Sequence, residues 1–365
     1  MKILIDMGHP AHVHLFKNFF WEMEKKGHEF KITARDKEVT TKLLDAYGIP
    51  YERVGTMKPG KIHLILEWIY RDIKIVTISR KFNPDILMGN LNVTIVHAAK
   101  ILRKKSIIFT DSEPEAVKYP IEDFLSNPFA DVIITLNSVR HNYGEKEVRV
   151  NTYKELAYLH PNWFTPDGNV LTQAGIRTDE DYIILRFVAW GAYHDVGKGG
   201  FDIEAKRQLI KELEPYARIF ISSESELPAE FEQYRIPIRP EQIHDFLYYA
   251  KLLICDSQTM ATEAAVLGTP VIRCNSFVGK NDMGNFIELE QKYNLIFNYN
   301  DEKSAVLKAI ELLKISDIKE RWIKKRDTLL QDKIDVTSFL VWFTGNYPES
   351  FREMKRHPEI QYRFR

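Results

Sequence analysis

Cysteine is nearly absent. Only Cys255 and Cys274 occur in 365 residues, in separate apolar stretches. That leaves no disulfide framework, and both read as reduced, buried thiols of a cytosolic protein. No Cys/His cluster has the spacing of a zinc site. A charge excess is missing too, since 51 Lys and Arg face 51 Asp and Glu. A general nucleic-acid binder carries a basic excess, so no nucleic-acid partner is expected. Long hydrophobic runs are lacking. A membrane span needs ~18 uncharged apolar residues, and the nearest candidate, Ile62–Tyr70, is interrupted by Glu67. The opening MKILIDMGHP has an apolar stretch of about five residues ending at Asp6, short of the roughly 7–15 of a secretory h-region. The expectation is a cytoplasmic protein with at most peripheral membrane contact. Its basic tail (Arg352, Lys355, Arg356, Arg363, Arg365) reads as a solvated terminus rather than a lipid anchor.

What is present is an ordinary globular composition, 44% hydrophobic and 28% charged, in a chain longer than one core usually serves. Short β-rich runs alternate with helical patterns. Strands are predicted at Lys2–Asp6, Glu29–Ala34, Tyr51–Val54, Asp85–Met88, Ser106–Phe109 and Val132–Thr135, and again at Tyr182–Val188, Arg218–Ser222, Ile236–Ile238, Leu252–Cys255, Val271–Arg273 and Leu295–Phe297. Such alternation predicts α/β architecture with parallel sheets covered on both faces. Pro161, Pro166, Gly168 and Gly175 punctuate the break between the two series. The resulting layout is an N-terminal Rossmann-like domain over 1–155, a linker over 156–180, a second Rossmann-like domain over 181–335, and a helical tail over 336–365 that packs back on the first domain. The two doubly wound domains are expected to face each other across a cleft. Ligands of open α/β sheets bind at the carboxyl ends of strands, so the strand-to-helix loops matter most.

The strongest signal is LLICDSQTMATEAAVLGTPVIR, Leu252–Arg273. A buried strand runs into Asp256-Ser257-Gln258-Thr259. A helix then carries Glu263 and ends at Gly268-Thr269-Pro270. At Ser257 and Thr259 free backbone N–H groups, hydroxyls and the positive end of the helix dipole converge, which suits a diphosphate. A carboxylate one turn further in, at Glu263, suits two ribose hydroxyls. The alternative is that Asp256 or Ser257 merely caps the helix and Glu263 is a solvated surface residue.

Other strand ends carry polar groups. Three histidines, His9, His12 and His14, follow the first strand. A histidine there can accept a proton or neutralise phosphate charge. The competing readings are a metal site completed by Asp6 and Asp111, and plain capping or surface histidines. Asn90 and Asn92 follow the strand ending at Met88, and Asp111 and Glu113 follow the strand ending at Phe109. These are expected to meet an acceptor's hydroxyls or amine. In the second half, Arg186–Gly200 (RFVAWGAYHDVGKGG) suits a wall over a bound ligand. Arg186 and His194 there read either as diphosphate contacts or as ordinary loop polarity. Gly197-Lys198-Gly199-Gly200 lacks the spacing and the following Ser/Thr of a P-loop. Phe16, Phe19, Phe20 and Trp21 on the first helix read as core.

The Leu252–Arg273 segment resembles the nucleotide-binding motif of the GT-B superfamily, which includes UDP-N-acetylglucosamine 2-epimerases and MurG-type transferases. Ser257, Thr259 and Glu263 match that motif position by position. GHPAHVHLFK near the start and the EAAVLGTP turn resemble, more closely, the family DUF354 within that superfamily. The resemblance implies a GT-B-like fold, with Glu263 on the ribose and Ser257 and Thr259 on the diphosphate. It also places the Ile238–His244 loop beside the nucleotide base, with backbone contacts at Ile243. His244 itself reads as a helix-start residue. Ala11-His12-Val13 resembles the Gly-His-Val element of the MurG-type loop with Ala for Gly, which implies His12 as base or phosphate contact, His9 second. Hydrolysing epimerases have a catalytic Asp near the position of Asn90 and further carboxylates after the next strand. An asparagine is neither acid nor base, so this departure favours transfer.

The expected function is therefore metal- and cofactor-independent transfer of a sugar from a nucleotide donor, with UDP as the nucleotide. The expected acceptor is a hydroxyl of an unknown saccharide or lipid-linked molecule, in cell-surface polysaccharide or glycolipid synthesis. The alternatives are a nucleotide-sugar epimerase and a non-catalytic nucleotide-sugar-binding protein.

Overall fold

The computed structural model describes residues 1–37, 39–56, 61–116, 121–177, 179–188, 200–223, 226–279 and 282–365. The chain divides into two compact units. One is built on Met1–Pro114, the chain up to Tyr158, and Lys333–Arg365; the other is built on Leu159–Asp332.

In the first unit the order is β1 (Lys2–Met7), α1 (Pro10–Lys25), β2 (Glu29–Asp36), α2 (Thr40–Ala46), β3 (Glu52–Thr56), α3 (Lys61–Phe82), β4 (Ile86–Asn90), α4 (Val93–Leu102), β5 (Lys105–Thr110), α5 (Ile121–Ser126), β6 (Val132–Leu136) and β7 (Glu147–Val150). All seven strands are parallel, in the spatial order β3-β2-β1-β4-β5-β6-β7. Helices cover both faces, so the central strands are continuous apolar runs rather than alternating ones: Ile3, Leu4 and Ile5 in β1, and Val132, Ile133 and Ile134 in β6, are all buried. Strand β7 was not anticipated, because EVRV shows the alternation of an edge strand with only two apolar residues.

After α6 (Leu156–Leu159), the second unit runs α7 (Asn169–Gln173), β8 (Tyr182–Phe187), α8 (Ile203–Leu213), β9 (Arg218–Ser223), α9 (Ile243–Tyr249), β10 (Leu252–Cys255), α10 (Gln258–Leu267), β11 (Val271–Cys274), α11 (Gly284–Gln291), β12 (Ile296–Tyr299), α12 (Glu302–Leu313) and α13 (Ile318–Asp332). Its five strands are parallel, in the order β12-β11-β10-β8-β9. Ile236–Ile238, expected as a strand, forms none. Pro237 has no N–H to give a ladder, and pairing stops at a single bridge between Ile221 and Arg235.

Two boundaries differ from expectation. Residues 156–180, expected as a linker, divide between the units and fold within them. Leu156, Ala157 and Tyr158 are buried in the first, Val170 and Leu171 in the second. Residues 333–335, expected in the second domain, belong to the first unit. Ile334 N donates to the Asn151 carbonyl at 3.0 Å, and Thr152 Oγ1 donates to the Ile334 carbonyl at 2.8 Å. The chain then continues into α14 (Val336–Gly345) and α15 (Glu349–Arg356), and α14 packs against α1. Asn18 on α1 and Thr337 on α14 both donate to the Ala157 carbonyl, each at 2.8 Å.

Strand order reverses once in each sheet, between β1 and β4 and between β8 and β10. At such a point the crossovers leave in opposite directions and uncover the carboxyl ends between them. These are the places where functional side chains are to be sought.

Gly268 closes α10 in the left-handed region at φ +76°, and a Cβ there would lie 3.0 Å from Ile323 Cδ1 on α13. Gly268→Ala is expected to destabilise the protein by about 1–2 kcal/mol, read as a lower urea midpoint at unchanged m-value.

Candidate functional site

In the second unit, Arg186 near the end of β8 stands opposite Cys255 at the end of β10, across the point of reversal. The next two residues have different jobs. Ser257 caps α10, its Oγ accepting from Met260 N at 3.4 Å. Asp256, also buried, is turned away from the helix. Its Oδ1 accepts from Val188 N at 2.8 Å, and its carbonyl accepts from Asn275 Nδ2 at 3.0 Å. Gly200 lies so close that a Cβ there would be 2.2 Å from Asp256 Oδ2 and 2.5 Å from its Cβ. One carboxylate thus holds the end of β8 and crowds the approach to α8.

Glu263 lies on the second turn of α10. It is 5% exposed, so the solvated-surface reading of this residue falls. The helix is rich in small residues (Ala261, Ala264, Ala265) and packs against β10, β11, α9 and α13, which buries its polar residue with the rest. An isolated buried carboxylate costs several kcal/mol, on the order of the penalty for any desolvated ion. Here Glu263 Oε1 lies 2.9 Å from Nε2 of His244, itself buried on α9 with Phe164 against its ring. His244, expected only to start a helix, orients the carboxylate that was expected to bind ribose. Thr259 and Ile243 are half-buried at the starts of α10 and α9. Arg186 Nη1 donates to Ser222 Oγ at 2.9 Å. His194 and Gly197, Lys198 and Gly199 lie outside the described residues. The end of β11 carries a group the sequence did not single out. Arg273, fully buried, makes a two-pronged ion pair with Asp282 (2.7 and 2.8 Å) and stacks on Phe286.

In the first unit the reversal point brings His12 and Asn90 together, with Asn90 Nδ2 3.3 Å from His12 Nε2. Below them Asp6 is buried and accepts from Thr33 Oγ1 (2.7 Å), Arg71 Nη2 (2.7 Å) and Asn92 Nδ2 (2.6 Å). Asn92 also caps α4 through Ile95 N. Gly89 is needed beside it, since a Cβ there would come within 2.8 Å of Asn92 Cβ. Arg71 comes from the middle of the long helix α3, and no local motif marks it.

The other expected residues are engaged. His9 caps α1, its Nδ1 accepting from Ala11 N at 3.2 Å. His14 turns into the core and stacks on Tyr158 at 5.0 Å. His14 therefore leaves the group while the His9 and His12 rings stay 5.7 Å apart, and among the described residues no cluster of His, Cys, Asp or Glu has a metal-holding arrangement. Asp111 pairs with Lys154 Nζ at 2.6 Å. Glu113, also buried, accepts from Arg140 Nε at 2.9 Å and pairs with Nη2 at 2.8 Å, fastening the following loop rather than standing open to a ligand. Burial, reinforced by the cations Lys154, Lys37 and Arg71, pushes His12 down to about 3. At neutral pH the ring is therefore uncharged.

No described helix is long and apolar enough to cross a membrane. A family model described as "Protein of unknown function (DUF354)" matches residues 1–337. An uncharacterized protein of Methanocaldococcus jannaschii is 23% identical over 287 residues, covering 75% of this chain and 82% of that protein. Among solved structures, UDP-GlcNAc 2-epimerase from Neisseria meningitidis, bound to UDP-GlcNAc, aligns with a TM-score of 0.64 at 12% identity, over 94% of this chain and 99% of that one. The spinosyn rhamnosyltransferase SpnG aligns with a TM-score of 0.64 at 12% identity, over 95% and 100%. At such identity the likeness establishes the fold, α/β of the GT-B type.

Two outcomes follow from this geometry. Gly200→Ala is expected to cost about 1–3 kcal/mol through overpacking against Asp256, measured by urea denaturation. The folded pKa of His12 lies below its ordinary value of 6.5, so the unfolded chain binds the extra proton first. Stability is then lost as pH falls from 6.5 towards about 3, and His12→Gln should lose less than wild type over that window. Equal slopes for the two proteins would mean that His12 is solvated.

Proposed function

The chain belongs to the DUF354 family, and from that premise we propose that it is a glycosyltransferase of the GT-B type, moving a sugar from a UDP-linked donor to a hydroxyl of a saccharide or lipid-linked acceptor in cell-surface polysaccharide or glycolipid synthesis. The observation that carries the reading is the buried Glu263, oriented by His244 one turn inside a helix that starts at the reversal point of its sheet.

In this reading the donor lies along α10. Ser257 Oγ takes the N–H of Met260, so the N–H groups of Gln258 and Thr259 are those the helix start leaves for a ligand. These amides, the Thr259 hydroxyl and the helix dipole receive the diphosphate and stabilise it as leaving group, so the reaction calls for no metal or other cofactor. Glu263 accepts from the ribose hydroxyls, with its geometry preset by His244. Arg186 stands by for the phosphates, and the backbone at Ile243 flanks the base. On the first unit His12, Asn90 and Asp111 form the acceptor side. Two of the similar solved structures hold UDP-GlcNAc or UDP, which supports the choice of nucleotide.

Epimerisation is the second reading, favoured by the number of epimerases among the similar folds. Against it stand Asn90, which cannot act as acid or base, and the engagement of Asp111 with Lys154 and Glu113 with Arg140.

The test is a thermal-shift panel of nucleotides and nucleotide-sugars on wild type and Glu263→Gln, a change that keeps volume and a partner for His244. A uridine diphosphate compound should raise the wild-type Tm. The variant should bind it about tenfold to a hundredfold more weakly, the worth of a charge-assisted hydrogen bond. No response to any nucleotide would remove the reading. Given binding, UDP release that requires an acceptor marks transfer, whereas an altered sugar formed without one marks an epimerase. Binding without either product leaves a non-catalytic nucleotide-sugar-binding protein.

A further inference from the structure

The His12–Asn90 pair carries information about what it binds. Asn90 presents its amide nitrogen to His12 Nε2 at 3.3 Å. An amide nitrogen only donates, so Nε2 is the accepting nitrogen of a neutral ring and the ring proton sits on Nδ1. Among the described residues, His12 Nδ1 and Asn90 Oδ1 are both buried and both without a hydrogen-bond partner. One is a donor and the other an acceptor. Each bears the cost of desolvation with no return inside the fold, a circumstance that calls for a specific explanation wherever it occurs.

Ligand classes differ in how they fill such a pair. A phosphodiester, a sulfate or a carboxylate brings acceptors only, so it satisfies Nδ1–H but sets negative charge against Oδ1. An ammonium brings donors only and leaves Nδ1–H unfilled. A hydroxyl brings one donor and one acceptor, and a sugar ring carries several hydroxyls at fixed spacing. The local charges agree. Arg71 is held by Asp6 and Lys154 by Asp111, so two of the three neighbouring cations are already balanced within the fold. We propose that His12 and Asn90 form a neutral hydroxyl-binding subsite of the acceptor side, in which His12 donates through Nδ1–H, Asn90 accepts through Oδ1, and Asn90 fixes the imidazole in that tautomer. This deepens the transferase reading and rests on it for the identity of the acceptor. It makes His12 a hydrogen-bond donor to substrate rather than the group that removes a proton. Burial together with Lys154, Lys37 and Arg71 supports the assignment, since they hold the ring neutral.

The tautomer is tested without nucleotide or turnover, so it stands or falls separately from the donor site. In the full chain labelled with 15N-histidine, the His12 resonances are assigned by their loss in His12→Gln. The expected pattern is a protonated Nδ1 and an unprotonated Nε2, unchanged across about pH 5–8, the range in which an ordinary histidine titrates. Asn90→Asp sets a carboxylate against Nε2 and should move the proton to Nε2 and bring titration up into that range. A wild-type ring protonated at Nε2, or one that titrates near 6.5, overturns the assignment. The ligand class is tested by adding monosaccharides, N-acetylglucosamine among them, or inorganic sulfate at equal concentration. Sugars should shift the His12 Nδ1 signal, and less so in Asn90→Ala. A response to sulfate alone, or to neither, overturns the hydroxyl subsite.

Discussion

A parallel sheet forces its connections to leave every strand at the carboxyl end and return at the amino end. Where the spatial order reverses, neighbouring crossovers depart to opposite sides and the strand ends between them stay uncovered. The candidate functional residues of both units sit where that constraint puts them. In the first unit it falls between β1 and β4, where His12 and Asn90 meet. In the second it falls between β8 and β10, where Arg186, Asp256 and the start of α10 lie. Neither group is brought together by sequence proximity. His12 and Asn90 are 78 positions apart, and Val188 and Asp256 are 68.

A reversal point exposes backbone and polar side chains to a partly dry environment, so it must be stiffened by groups that are themselves satisfied. The two units solve this with buried carboxylates of one kind. Asp6 collects three donors from three different elements and sets Arg71 and Asn92 beneath the first site. Asp256 takes the amide after β8 and leaves room only for a glycine at 200. Removing one partner from such an arrangement leaves an uncompensated buried charge, which is far more costly than the pair is stabilising. This explains why so much of the local sequence is committed to support. Glu113 and Asp282, like Asp6, spend their charge on an arginine and so hold loops rather than ligands. His12 and Asn90 differ in that each keeps a buried polar atom that no described residue fills.

Much of the fold was legible because parallel strands announce themselves as short apolar runs, and because Gly27, Gly48 and Gly268 stop helices where left-handed backbone is required. The start of α10 was legible for the same reason: a strand, a small polar cap and a helix ended by Gly-Thr-Pro are a local pattern. The support behind it was not. His244 and Glu263 are 19 residues apart on different helices, and nothing near either residue marks the other. Arg71 sits in an amphipathic helix where any cation reads as surface, yet the packing of α3 on β3 and α4 buries it against Asp6 of the central strand β1. The edge strand β7 was hidden by its charged alternation, and residues 156–180 by prolines that suggested a break where the apolar side chains between them fold. Local chemistry was readable; pairing across elements depends on register and packing that periodicity does not encode.

The environment of His12 bears on how the proposed transfer works. The carboxylates of the first unit's strand ends are engaged, Asp6 with Arg71, Asp111 with Lys154 and Glu113 with Arg140. The His12 imidazole is held neutral, its pKa far below its ordinary value. An acceptor hydroxyl meeting this edge is therefore oriented more than it is deprotonated. In the proposed reading, such an arrangement suits a reaction in which departure of the leaving group runs ahead of attack, with the hydroxyl proton passing late to an oxygen of the departing diphosphate. On the proposal made above, the burden then falls on the second unit, with the positive end of α10 and the preset Glu263 assigned to the departing nucleotide. A division of that kind also accounts for the neutrality of the first site. A strong base beside an activated sugar donor would equally well activate water, and a donor–acceptor pair that recognises hydroxyl geometry without taking a proton avoids that side reaction while still placing the acceptor.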